Sequence, residues 1–138
     1  MEQQFEIISY VGAGPLLFGL TQTEVEGAVG QPLRMGVNNL GEKNAQYRAF
    51  SLRYSVTDSV LLEIGFTSSA NVMFRGLNLF RDPEALRKLL HLDSYPYESY
   101  GFIVLFDLGI TLTVFHDDDK AQIAVTAFAL GRWDGVKP

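Results

Sequence analysis

The chain contains no cysteine, which removes disulfides, thiolate nucleophiles and Cys-type zinc sites together and suits a reducing compartment. Histidine is nearly as scarce, with two in 138 residues, so imidazole chemistry has only His91 and His116 to draw on. Positive charge is short as well. Eleven Lys+Arg against 16 Asp+Glu leave a net charge of -5, which disfavours phosphate backbones and anionic membranes and favours a basic partner. Long apolar runs are also missing: the stretch that starts at Gly101 meets Asp107 within a few residues, far short of the ~20 apolar residues of a membrane span. The opening Met1-Glu2-Gln3-Gln4-Phe5-Glu6 carries acid where an export signal carries positive charge. These shortages lead us to expect a soluble, cytoplasmic protein with no nucleic-acid or membrane partner.

What is present is apolar and aromatic. The chain is 47% hydrophobic, with ten Phe and six Tyr, too apolar for disorder and rich enough in rings to fill a sheet-based core. A chain of this length buries roughly two-thirds of its unfolded surface, so residues 1–138 are expected to form a single α+β domain.

The clearest local signal is a helix with both ends written out. Thr21 can accept from the N–H of Glu24 while the Glu24 carboxylate reaches back to the Thr21 N–H, a capping box, and Gly30 and Pro32 supply the stop. The helix is expected over about 22–29. A second one starts at Asp82, with Pro83 and Glu84 in its first turn and Leu86, Leu89 and Leu90 as its buried stripe. His91, near the end of that helix, is read as a cation at the negative pole of the dipole.

Between and after the helices the period changes to two. Strands are expected over 5–11, 47–56, 60–66, 72–76, 101–106, 110–115 and 121–130, and residues 37–44 read as an exposed loop. The fold class is therefore α+β: a curved antiparallel sheet of about six or seven strands, with the two helices packed on one face. Residues 17–20 and 73–77 open the two halves alike, as a helix-plus-meander duplication would.

No motif identifies a reaction. His116-Asp117-Asp118-Asp119 is the only dense polar cluster, but consecutive side chains at a strand end alternate in direction, so a solvated turn fits better than a metal site. His91, Asp93 and Ser94 lack a nucleophile elbow and an oxyanion donor. Glu63, Glu98 and Asp107 are the carboxylates that a glycosidase-type pair could use, and Glu63, although it interrupts an apolar strand, alternates toward solvent. Gly12-Ala13-Gly14-Pro15 lacks the Lys-Ser/Thr of a phosphate loop. No metal, cofactor or catalytic residue is expected. The remaining signal is the loop holding Tyr95, Tyr97, Glu98 and Tyr100, flat amphipathic rings beside acid, a composition found at interface anchors.

The segment Leu17-Phe18-Gly19-Leu20-Thr21-Gln22-Thr23-Glu24-Val25, followed by Gly30-Gln31-Pro32, resembles the fGmTxxEV…lGxP opening of small bacterial α+β proteins. That group includes immunity-type proteins linked to secreted toxins and domains like the beta-lactamase inhibitory protein. Phe74-Arg75-Gly76-Leu77-Asn78-Leu79-Phe80 is similar to a strand-exit segment of the same proteins. The resemblance implies a non-enzymatic binding protein and transfers no functional residue. Together with the acidity, it leads us to expect an immunity protein that occludes a basic toxin domain, with Tyr95, Tyr97 and Tyr100 as anchors and Glu98, Asp117, Asp118 and Asp119 steering the partner. The alternatives are a small-ligand binder or enzyme with Glu63 or Arg53 inside a concave face, and a homodimer across an edge strand at 122–130.

Overall fold

The computed structural model describes residues 3–99, 101–113 and 124–136. The chain opens with β1 (Gln4–Ile8), β2 (Gly12–Gly14), β3 (Leu16–Leu17) and α1 (Gln22–Val29). It continues through β4 (Arg34–Val37), β5 (Lys43–Gln46), β6 (Phe50–Tyr54), β7 (Leu61–Phe66), β8 (Asn71–Phe74) and β9 (Leu77–Asn78). After α2 (Ala85–Leu92) come β10 (Tyr97–Ser99), β11 (Phe102–Leu105), β12 (Ile110–Thr113) and β13 (Ala124–Phe128), then a 3-10 turn at Asp134–Val136. The class is α+β, but among the described residues the strands form two sheets, of five and eight strands, where one of six or seven was expected.

The smaller sheet runs in the order β3-β2-β1-β8-β9 and the larger in the order β10-β11-β12-β13-β7-β6-β5-β4. Among the described residues all strand pairings are antiparallel except β1 with β8, where Phe5 lies beside Val72. Alternation fixes the inward faces. On β1, Phe5 and Ile7 are buried between exposed neighbours; on the larger sheet the row Leu52, Ile64, Ala127, Ile110, Leu105 runs across five paired strands. Phe5 meets Phe50 edge-on at 5.1 Å and Phe66 at 5.2 Å. The two inward faces thus close on one cluster, to which α1 adds Val25 and α2 adds Leu89.

The first helix forms as the sequence dictates. Glu24 N–H donates to Thr21 Oγ1 and Thr21 N–H donates to Glu24 Oε1, while Gly30 ends the helix at φ 86°. The second starts later than expected: the Asp82 carboxylate accepts the Glu84 N–H and pairs with Lys88, which makes a separate turn and delays the helix to Ala85.

Three further expectations change. The strand expected over 47–56 breaks at residues 47–49, where Tyr47 N–H donates to the Phe50 carbonyl. Residues 34–46, including most of the expected loop, form the β4–β5 hairpin. The strand proposed for edge-to-edge dimerisation, β13, is interior, held by β12 on one side and β7 on the other; the edges of the larger sheet are β10 and β4. Among the described residues no helix is long and apolar enough to cross a membrane.

Candidate functional site

Where α2 ends, its chain is clasped to the β11–β12 turn. Asp93 is buried and its two oxygens accept the N–H groups of Tyr95, at 3.0 Å, and Asp107, at 2.9 Å. Asp107 answers by accepting the Ser94 N–H at 2.6 Å, and those bonds from Ser94 hold its carboxyl below the usual range. The Tyr10 hydroxyl donates to the Phe106 carbonyl at the same turn. Burial, and behind it the negative charge of Asp134, Asp93 and Asp107, raises the Tyr10 phenol above its ordinary value, so it stays a donor.

On this clasp stands Tyr95, 70% exposed. The N–H groups of Ser94 and Tyr95 are tied down while Tyr95 itself stays largely exposed. Tyr97 and Glu98 follow on β10, opposite Val104 and Ile103, so the pleat sends them to opposite faces of the edge strand. Tyr97 is half-buried and Glu98 exposed. Of the seven residues expected at the partner surface, Tyr95, Tyr97 and Glu98 therefore share one edge but not one face. Tyr100, Asp117, Asp118 and Asp119 lie outside the described residues, as does His116.

A second polar constellation was not anticipated. Arg132 donates through both terminal nitrogens to Glu42, at 2.7 and 2.9 Å, and through Nε to Glu63 Oε1, at 3.0 Å. The Trp133 indole donates to the same Glu63 oxygen at 3.1 Å, Arg53 lies 3.5 Å from the other, and Asn38 donates to Glu42 at 2.9 Å. Glu63 is buried, contrary to its expected exposure. Its strand is bulged: Leu61 pairs with Tyr54 and Glu63 with Arg53, leaving Leu62 over. That extra residue keeps Leu61 and Ile64 both inward and sends Glu63 to the opposite face, where Trp133, packed on Phe102 and Phe128 at 5.6 and 6.1 Å, covers it.

Glu63 and Arg53 thus occupy an ion-pair network on the outer side of the larger sheet. Two carboxylates against two guanidiniums leave no net charge, and the bidentate pair supplies the geometry that a desolvated ion pair needs. The guanidinium of Arg132 draws the Glu42 carboxyl down to about 2, and Glu42 in turn holds Arg132 above its ordinary value.

A pH dependence follows. Because the folded-state pKa of Glu42 is depressed, its contribution is full above the unfolded carboxylate range near 4.3 and is lost as pH falls toward 2. We expect roughly 2–3 kcal/mol of stability to disappear across that window. Urea unfolding at pH 5 and pH 2.5 checks it: Glu42→Gln should flatten the acid limb, and an unchanged slope would remove Glu42 from the account.

No family model, curated protein or solved structure matches this chain.

Proposed function

We propose that this chain works by binding another protein, as an immunity-type protein that occludes a basic toxin domain. The observation that carries the reading is Tyr95: an aromatic residue 70% exposed on a loop where the N–H groups of Ser94 and Tyr95 are fastened by Asp107 and Asp93. A large exposed aromatic on an ordered loop loses little freedom on docking, which is what makes an effective anchor. Exposed Glu98 nearby, with the overall charge of -5, favours a basic partner and fast encounter. No step in this role requires bond chemistry. The buried carboxylates Glu42 and Glu63 are engaged by Arg132 and its neighbours, which suits a supporting role. A curved sheet built from a helix-plus-meander repeat, residing in the bacterial cytoplasm, belongs to the same proposal.

Co-expression with a toxic domain encoded beside this chain tests it. The chain should restore growth and co-purify with that domain. Tyr95→Ala should weaken the complex about 30-fold, in the range of aromatic anchors, with unfolding unchanged. Full protection by the Tyr95→Ala variant would move the interface elsewhere.

A further inference from the structure

We infer that the groove between the β8–β9 turn and α2 binds a soluble organic phosphate, a monoester whose charged head is held by Arg75, Arg87 and Lys88 and whose short aliphatic body covers Leu77 and Leu92. The groove has a volume of about 360 Å³, at the lower end of ordinary small-ligand sites. Its lining runs against the composition. The chain holds 16 Asp+Glu against 11 Lys+Arg, yet among the described residues three of those cations border this one groove, with His91 beside them, and no carboxylate does. Cations gathered without acids in one concavity focus a positive field there, whatever the sign of the whole molecule.

The helical wall follows from spacing. Arg87 with His91, and Lys88 with Leu92, are two adjacent i,i+4 pairs, so all four side chains stand along one flank of α2. His91 Nδ1 donates to the Arg87 carbonyl at 2.8 Å, which leaves Nε2 as its nitrogen for a ligand. Arg87 is bonded to Glu84 and Lys88 to Asp82, but neither carboxylate borders the groove. Each bond fixes a long side chain and occupies one donor, of five on a guanidinium and three on an ammonium.

The opposite wall is built on an uncommon turn. Phe74 pairs with Leu77, so Arg75 and Gly76 are the two residues of a tight hairpin, both at positive φ, 49° and 84°. Asn-Gly is the pair that such a turn prefers, and arginine holds a left-handed backbone there that long side chains seldom adopt. Its guanidinium lies 4.9 Å from the centre of the Phe74 ring, a contact that orients it. Among the described residues no carboxylate pairs with it.

The ligand class follows from these walls. A carboxylate offers two oxygens in one plane, whereas a phosphate monoester offers three around a tetrahedron and carries nearly two charges, so it can accept from both walls at once. Leu77, half-buried, and Leu92, 43% exposed, give an attached aliphatic body something to cover. No aromatic side chain lines the groove among the described residues, which removes the stacking platform that a nucleotide base would use. A net charge of -5 repels an anionic bilayer, so the ester is a soluble one. Neither Tyr95 nor Glu98 borders the groove, and this site and the protein-binding surface can each fail alone.

Calorimetric titration of the full chain with hexyl phosphate tests the assignment. Saturable binding with a Kd of about 1 mM or tighter is expected for a ligand of this size, and inorganic phosphate, which covers neither leucine, should bind about tenfold more weakly. 1-Hexanol should not saturate. Arg75→Asn installs the pair that the turn prefers and removes the cation, so the thermal midpoint should hold or rise while affinity falls about tenfold. Arg87→Gln, at an exposed position, should weaken binding as well, and Arg34→Gln, which removes the same charge from β4, should not. No saturation by about 10 mM, equal affinity for inorganic phosphate, full affinity in Arg75→Asn, or an equal loss in Arg34→Gln would each overturn the site. Retention on vesicles containing phosphatidic acid, without affinity for hexyl phosphate, would overturn it too by placing the phosphate in a lipid.

Discussion

Replacing Arg132 with methionine is expected to destabilise the fold by about 3–5 kcal/mol, the cost of leaving buried charge without its partner. Both Glu42 and Glu63 lose their guanidinium at once. Arg53, nearly half exposed and 3.5 Å from Glu63, is too far from ideal geometry to take over. The comparison that isolates the charge effect adds Glu42→Gln and Glu63→Gln to the methionine variant: neutral amides need no cation, so most of the loss should return. Urea unfolding of the three proteins at pH 7 measures it. A loss below about 1 kcal/mol for Arg132→Met would mean that water reaches the carboxylates and that the network is a surface feature.

The second large effect is expected at Phe5. Its ring is 3% exposed and bridges the sheets by touching Phe50 and Phe66, so Phe5→Ala should cost about 3–5 kcal/mol through lost transfer energy and the cavity left behind. Ile8, on the same strand but 56% exposed, provides the control, and Ile8→Ala should change stability by less than about 0.5 kcal/mol. Against a typical total of about 5–15 kcal/mol, the Phe5 variant gives up a large share. Amide exchange should show the fastest loss of protection in β1 and β2. Equal effects at Phe5 and Ile8 would contradict the inward face assigned to β1.

Features encoded by neighbours in sequence were legible. The capping box at Thr21 and Glu24 and the stop at Gly30 appear where the residues require them, because a cap needs only groups three or four positions apart. The strands from Leu61 to Phe66 and from Phe102 to Leu105 also fall within the stretches expected for them. What could not be read locally is pairing. The hairpin of β4 and β5 has little period-two signal because Gly36, Asn44 and Lys43 dilute it, and its order is set by β6, which offers Ala45 a place opposite Leu52. The split into two sheets depends on β1 meeting β8, a contact between residues 4 and 71.

The polar sites divide in the same way. The aromatic loop announced itself by composition, yet the Asp93 and Asp107 clasp that gives it order joins positions 14 apart. The Arg132 network was hidden by distance, since its partners lie 69 and 90 residues away. The one signal pointing to it was Glu63, an acid in the middle of an apolar strand, and the missing piece was a cation beside the only tryptophan.

That long reach bears on how the molecule is made. Translation delivers Glu42 and Glu63 long before Arg132, 90 and 69 residues further on, so a growing chain for a time holds two acidic groups without the guanidinium that joins them, and they favour staying wet. The outer side of the larger sheet can therefore seal only once the ribosome has supplied Arg132, which makes that late arrival the step that completes this face.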